Sequence, residues 1–490
     1  MTRLNKIRCS HLRVIIVLLI SEWLLTACAT STISRNIYSL PVQPLKVLDG
    51  SPVESGALIG GKGLDYVLAM DCDDNGSFTL YGQTIKSFGE STDFLVVKTS
   101  PELGIQWAKT YGGRNKDTLY RARHTNDGGS LLLGKSKSLF YTPLPGERPQ
   151  RPFIIKLASG GDPQWSLLIN PGDNSLIGEL VDFTQLQDGS FIFVGQSRVD
   201  TGHKYAWDTT AIKLDAHGKY IWGYIYRADV DTKAGRVVEI GDGNVLIVAQ
   251  TQKDGADSML RNDLVLIKIN HEGQPYWSRV YQAGIGGTYI RDIVKDKDNL
   301  MLTGMLYTGK RQTFAVKLTR DGEVIWSRSY KNIRDASASP LVATVLRDGR
   351  YLIVGRAGEK RVQSVKSDHY YRGEFGDALV LDSKGLLVYA TYIGGYRDEE
   401  IRAVSSLPGG GVCLALNTES FAATYSDILV ARWSPGKSST EMPQIYSSDK
   451  LELHVKNQAI KHSPVGVDLE QLAVGHLNEK SLIPVRVLTQ

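Results

Sequence analysis

Apolar and polar residues alternate with a period of two over most of this chain, in short runs broken by Asp, Asn and Gly. That pattern predicts half-buried β-strands joined by tight turns. One recurring unit is an alternating run, a turn and a strongly apolar run. It stands as YVLAMDCDDNGSFTLYG, LYRARHTNDGGSLLLG, LVDFTQLQDGSFIFVG, RVVEIGDGNVLIVAQ, IRDIVKDKDNLMLTG, LVATVLRDGRYLIVG and IRAVSSLPGGGVCLAL, with turns near Gly76, Gly128, Gly189, Gly243, Asn299, Gly349 and Gly410. Asp-Gly and Asn-Gly supply the positive φ that a tight hairpin requires. A second unit follows each hairpin: an apolar strand, a tight turn and a strand carrying an aromatic wedge. DLVLIKINHEGQPYWSRVY from Asp263 is its fullest form. Trp107, Trp165, Trp222, Trp277 and Trp326 hold the wedge position, Tyr389 replaces Trp in the sixth repeat, and the seventh has neither.

Together the two units give four antiparallel strands at a repeat of about fifty to sixty residues, which fits propeller blades. Seven such repeats predict an all-β fold, a seven-bladed β-propeller over residues 56–436. The last repeat stops at Trp433-Ser434-Pro435-Gly436 without its fourth strand, whereas an orphan strand, GALIGG at 56–61, precedes the first hairpin. That orphan matches the fourth-strand endings KTYGG at 109–113 and TYIGG at 391–395. The N-terminal strand is therefore expected to complete the last blade, closing the ring without a free seam.

The cadence of Lys, Gly, Trp and Tyr-Gly-Gly over residues 98–113 resembles the seven-bladed propeller repeats found in secreted and surface proteins of bacteria. The resemblance implies a scaffold rather than a task.

The ends of the chain add a compartment. Arg3, Lys6, Arg8 and Arg13 precede or open an apolar run from Val14, so residues 1–27 read as an export signal. Leu25-Thr26-Ala27-Cys28 resembles the lipobox of bacterial lipoproteins, which implies diacylation of Cys28 and cleavage before it. Ala29 in place of Asp is similar to lipoproteins sent on to the outer membrane. Residues 28–55, with Pro41, Pro44 and Pro52, read as a tether. Residues 437–490 read as a tail or small appendage, with strand-like runs at 451–455 and 483–487 around a short helix expected over 468–474. Without residues 1–27 the formal charge falls from +5 to about +2, close to balanced. Charge thus gives no reason to expect nucleic acid. Cys72 and Cys413 fall on adjacent repeats in an oxidising compartment, as a disulfide or as packed thiols.

Few residues carry a chemical signature. Asp71, Asp73, Asn75 and Gly76 begin a calcium-loop pattern, but its twelfth position is Gly82 instead of the bidentate Glu, so a plain turn is expected. Asp296 and Asp298 read the same way. Asp321 and Gly322 are adjacent, which breaks the spacing of a sialidase Asp-box. No nucleophile elbow, paired-carboxylate arrangement or His/Cys metal spacing stands out, and no cofactor or metal is expected. Counting back from the hairpin turns places Arg121, Arg236, Arg402 and, within one residue, Arg291 on the first strand, which lines a propeller channel, with Asp182 equivalent in the third repeat. Facing inward, these arginines would form a basic ring for an anion. Paired instead with Asp182, Asp292 or Glu399, they would serve packing.

The second-to-third and fourth-to-first connections are long, and strand alternation puts both on one face. That face collects Tyr141, Arg148 and Arg151, then His203, Lys204 and Tyr205, then Lys310 and Arg311, and finally His369, Tyr370, Tyr371 and Arg372. Aromatic faces beside Arg and Lys suit an anionic or carbohydrate polymer as well as a protein. The expectation is a lipid-anchored envelope protein that binds through this face. The alternative is an enzyme of carbohydrate-active, lyase or lactonase type with its site at the channel mouth.

Overall fold

The computed structural model describes residues 53–60, 63–85, 91–113, 115–137, 150–171, 176–200, 205–252, 262–283, 286–332, 337–358, 374–394, 397–420, 426–436, 446–457, 461–464, 467–471 and 486–488. Among these residues there is no helix. Seven antiparallel sheets, blades 1 to 7, each contain four strands, A to D, in chain order except that strand D of blade 7 comes from the N-terminus. The A strands are Leu64–Cys72, Asp117–His124, Leu176–Gln185, Thr232–Gly241, Gly287–Asp296, Ser337–Val345 and Glu399–Ser406. Each touches the A strands of both neighbouring blades, so they form a closed inner ring around the channel.

The ring closes through the N-terminus. Val53–Ile59 is strand D of blade 7, antiparallel to strand C, Asp427–Trp433, with Ala57 opposite Val430 and Leu58 opposite Leu429. It begins slightly before the expected 56–61. Leu58 joins the core between blades 6 and 7, while Ala57 and Ile59 join the core between blades 7 and 1. A single strand thus contributes to both cores beside the closing blade. Cys72 and Cys413, both free thiols, lie in the second of these cores, and burial pushes the Cys72 thiol up to about 11.

The aromatic wedge has a defined partner. Trp165, Trp222 and Trp326 donate their indole N–H to the carbonyls of Ala216, His271 and Ser383, each in the C–D turn of the next blade. Four residues after the Trp, Tyr226 and Tyr330 donate their hydroxyls to Gly273 and Gly385 of the latter two turns, at 2.8 and 2.7 Å, and Tyr281 does the same to Gly322 in the C–D turn of blade 5 at 2.7 Å. Trp and Tyr therefore clamp a glycine turn between them. Tyr389, the sixth wedge, packs edge-on against Trp433 of blade 7, with centroids 6.5 Å apart.

Every A strand carries a bulge, at Leu68, Tyr120, Val181, Gly235, Arg291, Leu341 and Arg402. The bulge brings the strand A backbone close to strand B. A Cβ on Gly82, Gly195 or Gly304 would lie 2.0, 1.9 or 2.0 Å from the carbonyl oxygen of Tyr66, Glu179 or Tyr289. This explains why so many strand B sequences end in Gly: the glycine admits the bulge.

The tail wraps the outside. Tyr446–Lys450, Leu453–Asn457, Lys461–Pro464, Val467–Gln471 and Arg486–Leu488 add fifth strands to blades 5, 4, 3, 2 and 7 respectively. The helix expected over 468–474 is a strand over its described part, Val467–Gln471. The outer D strands present open N–H and C=O groups that a strand pairs and a helix leaves unpaired.

Candidate functional site

The four channel arginines do not make one ring. Arg121 and Arg236 follow the bulge by one residue, whereas Arg291 and Arg402 are the bulged residues themselves. That one-residue difference separates them into two groups with different surroundings.

The first group closes the channel. Arg121 Nε lies 3.1 Å from Asp182 and its Nη2 lies 3.0 Å from Asp292, joining blades 2, 3 and 5. Arg123 pairs with Asp182 at 3.1 Å, and Arg236 approaches Asp292 at 3.9 Å. Each carboxylate also accepts a backbone amide from the next blade, Val237 for Asp182 and Ala343 for Asp292, both at 3.0 Å. Burial disfavours charge on every member. Asp182 and Asp292 overcome that for Arg121 and raise it, whereas burial and the Arg121 charge take Arg236 down to about 10. Burial would likewise raise Asp182, but Arg123, Arg121 and Arg236 hold it below the usual carboxylate range. These ion pairs join the strands across the channel as an ionic plug, in which Arg121 Nε and Arg236 Nε are buried without a hydrogen-bond partner among the described residues.

The second group sits nearer the long-loop face. Arg402 donates to Glu400 at 2.6 Å, and Arg356, from the end of strand B of blade 6, reaches Glu400 at 3.3 Å and Glu374 at 2.5 Å. Arg291 has no ion pair among the described residues, and its Nε is buried without an acceptor there. Burial, then the positive charges of Arg402, Arg311 and Arg356, lower its pKa against a weaker pull from Glu400. Arg356 and Arg402 thus hold Glu374 and Glu400.

Beside them lies a cavity of about 270 Å³ between blades 6, 7 and 1. It is lined by Arg356 and Arg402, by Glu374, Asp398, Glu399, Glu400 and Glu419, and by Tyr66, Gln83 and Asn417 among others. Several of these acids already hold the structure. Asp398 accepts the Glu374 amide at 2.9 Å, and Glu399 accepts the Ser420 amide at 3.2 Å. Burial, then Asp398, raise the Glu419 carboxyl, and burial followed by Glu419 and Asp65 raise the Tyr66 hydroxyl. The lining therefore offers both carboxylate acceptors for hydroxyls and guanidinium donors for a negative group.

Cys28, Tyr141, His369, Tyr370, Tyr371 and Arg372 lie outside the described residues. Tyr205 opens the strand Tyr205–Leu214, and its side chain is outside the described set as well. The acidic turns have other employment. Asp73 accepts amides of Asn75 and Ser77 and pairs with Lys98 at 2.9 Å, while Asp71 accepts the His124 amide. Asp296 pairs with Lys317 at 2.7 Å and Asp298 with Arg320 at 2.9 Å. Sequence reasoning missed Arg356 and the cavity acids because they stand at strand ends outside the turn units that carry the repeat.

No family model matches this chain, and no curated protein sequence does. Solved structures with a similar course include the parainfluenza virus 5 hemagglutinin-neuraminidase ectodomain, at 8% identity and TM-score 0.37 over 87% of this chain and 96% of that one. The N-terminal part of BBS1, solved in complex with ARL6, gives 10% identity and TM-score 0.36 over 75% and 90%. The subtype N11 neuraminidase-like protein of a flat-faced bat influenza virus gives 8% and 0.34 over 85% and 99%. Such distant likenesses inform no residue of the site.

Proposed function

We propose that this chain is a lipid-anchored envelope binding protein, in which the propeller offers its long-loop face to a protein or to an anionic or carbohydrate envelope polymer. The observation that carries the reading is the charged cavity at the channel mouth, which opens on the face where the long connections gather. The ionic plug beneath it favours a surface site over a through-channel. The lipobox-like Leu25–Cys28 supplies the anchor in this reading, through lipid on Cys28, and the outer membrane is the proposed location.

The test is capture from solubilised envelope with the purified full chain. A paired change at the mouth, Arg402→Gln with Glu400→Gln, should lose the captured material. A paired change on the opposite face, Lys219→Ala with Glu272→Ala, should retain it. Equal capture by both would contradict the assignment of the face. Cys28→Ser tests the anchor separately, by release from the membrane fraction.

A second reading, catalysis at the same mouth, is favoured by one observation: Asp398 and Glu419 both line it, and burial followed by the Asp398 charge raises the Glu419 carboxyl in the direction a general acid needs. Turnover of a bound saccharide abolished by Glu419→Gln would support it over binding alone.

A further inference from the structure

Of the four channel arginines, Arg291 alone makes no ion pair with a described residue. It stands at the strand A bulge of blade 5, the residue left without a partner between Ile290 and Asp292 in the ladder. Its Nε is buried and finds no acceptor among the described residues. A buried guanidinium nitrogen without a partner carries an uncompensated desolvation cost. Nearby, Arg402 and Arg356 are paired but share Glu400, and Arg311, which opens strand C of blade 5, has no ion pair among the described residues. Arg356 and Arg402 thus hold Glu374 and Glu400, and Arg291 and Arg311 hold no carboxylate among the described residues.

We infer that Arg291, with Arg311, Arg356 and Arg402, holds the oxyanion of a polyhydroxylated ligand, an acidic sugar whose hydroxyls are read by the neighbouring cavity. This rests on the reading that the long-loop face is the binding face. The oxyanion, a carboxylate or a phosphate, supplies the acceptors that Arg291 lacks. The sugar hydroxyls supply donors for Asp398, Glu400 and Glu419, which line the cavity and would repel a bare polyanion. The two halves of the site therefore call for opposite features in one molecule: a single negative group at one end and hydroxyl donors at the other. A fully anionic ligand meets the five cavity carboxylates, and a neutral sugar leaves Arg291 unmatched.

Calorimetric titration of the purified full chain with glucuronate, glucose 6-phosphate, glucose, glucosamine and inorganic phosphate tests this. Glucuronate or glucose 6-phosphate should bind at least about tenfold more tightly than glucose or inorganic phosphate, the loss expected for one charge-assisted hydrogen bond. Whichever of the two binds better identifies the carboxylate or the phosphate as the group recognised. Arg291→Gln should cancel that preference with the melting temperature unchanged. If that variant is destabilised, Arg311→Gln at the strand opening decides instead, with the same expectation. Equal affinity for glucose and both acidic sugars, absence of binding by either acid, preference for glucosamine, or full retention in the deciding variant each overturns the inference. None of these outcomes touches the capture experiment, which judges the binding face independently.

Discussion

At the scale of single residues, the repeat is maintained by pairs that span blades, and the exceptions are informative. The C–D turn of most blades has glycine at positive φ because the preceding blade's Trp and Tyr press on it; in blade 4, a Cβ on Gly273 would lie 2.6 Å from Tyr224. Blade 1 has Leu103 there instead, at φ 66°, fully buried. It faces the closing strand Val53–Ile59, which contains no Trp or Tyr, so the space is filled by Leu103 itself. Leu103→Gly relieves a left-handed backbone worth about 1 kcal/mol but removes a buried side chain worth about 2–5 kcal/mol. Burial wins, so chemical denaturation should show a net loss of stability. The ionic plug makes a second prediction. Asp182 is depressed in the folded state, so its contribution is present above the unfolded carboxylate value of about 4 and is lost as pH falls through the folded value. Asp182→Asn should therefore cost about 3–5 kcal/mol at neutral pH and should flatten the acid limb of the stability profile. Turns, wedges and their glycines were legible in the sequence because each is set by local chemistry. The grouping of the arginines was not, since a bulge shifts the strand by one residue and leaves no mark in the alternation.

At the scale of elements, closure depends on one strand from the far end of the chain. Removing residues 53–60 leaves the edge of Asp427–Trp433 unpaired and takes Leu58 and Ile59 out of two cores, at about 1.5–3 kcal/mol for each side chain. The deletion should shift the denaturant midpoint strongly downward and make the protein prone to association through the exposed edge. An unchanged midpoint would show that blade 7 stands without its fourth strand. This closure was readable because GALIGG keeps the fourth-strand pattern while lying outside its repeat. The strand-like runs at 451–455 and 483–487 overlap the fifth strands Leu453–Asn457 and Arg486–Leu488, but the docking of the tail on the outer edges was not readable: YSSDK and LHVKN are short and mostly polar. They pair with backbone at the outer edges and need no apolar face to do so.

At the scale of the whole molecule, short turns occupy one face and long connections the other, and the tail pairs along the rim of five blades. Truncation after Gly436 should leave the ring closed but expose the outer edges of blades 2, 3, 4, 5 and 7. Faster amide exchange in Pro275–Ala283 and Val324–Asn332 should report it, since these strands lose their partners. The face bearing the mouth is where the repeat stops dictating sequence. Arg356 and Arg402 meet the cavity acids there, and neither the wedge nor the turn requires them. The most direct test of the account is amide hydrogen exchange of the full chain with and without saturating glucuronate. The account predicts slowed exchange at 289–292, 311–313 and 400–403, with 215–219, 270–274, 319–323 and 382–386 on the short-turn face unchanged. Protection at those short turns, or no protection at the mouth, would contradict it.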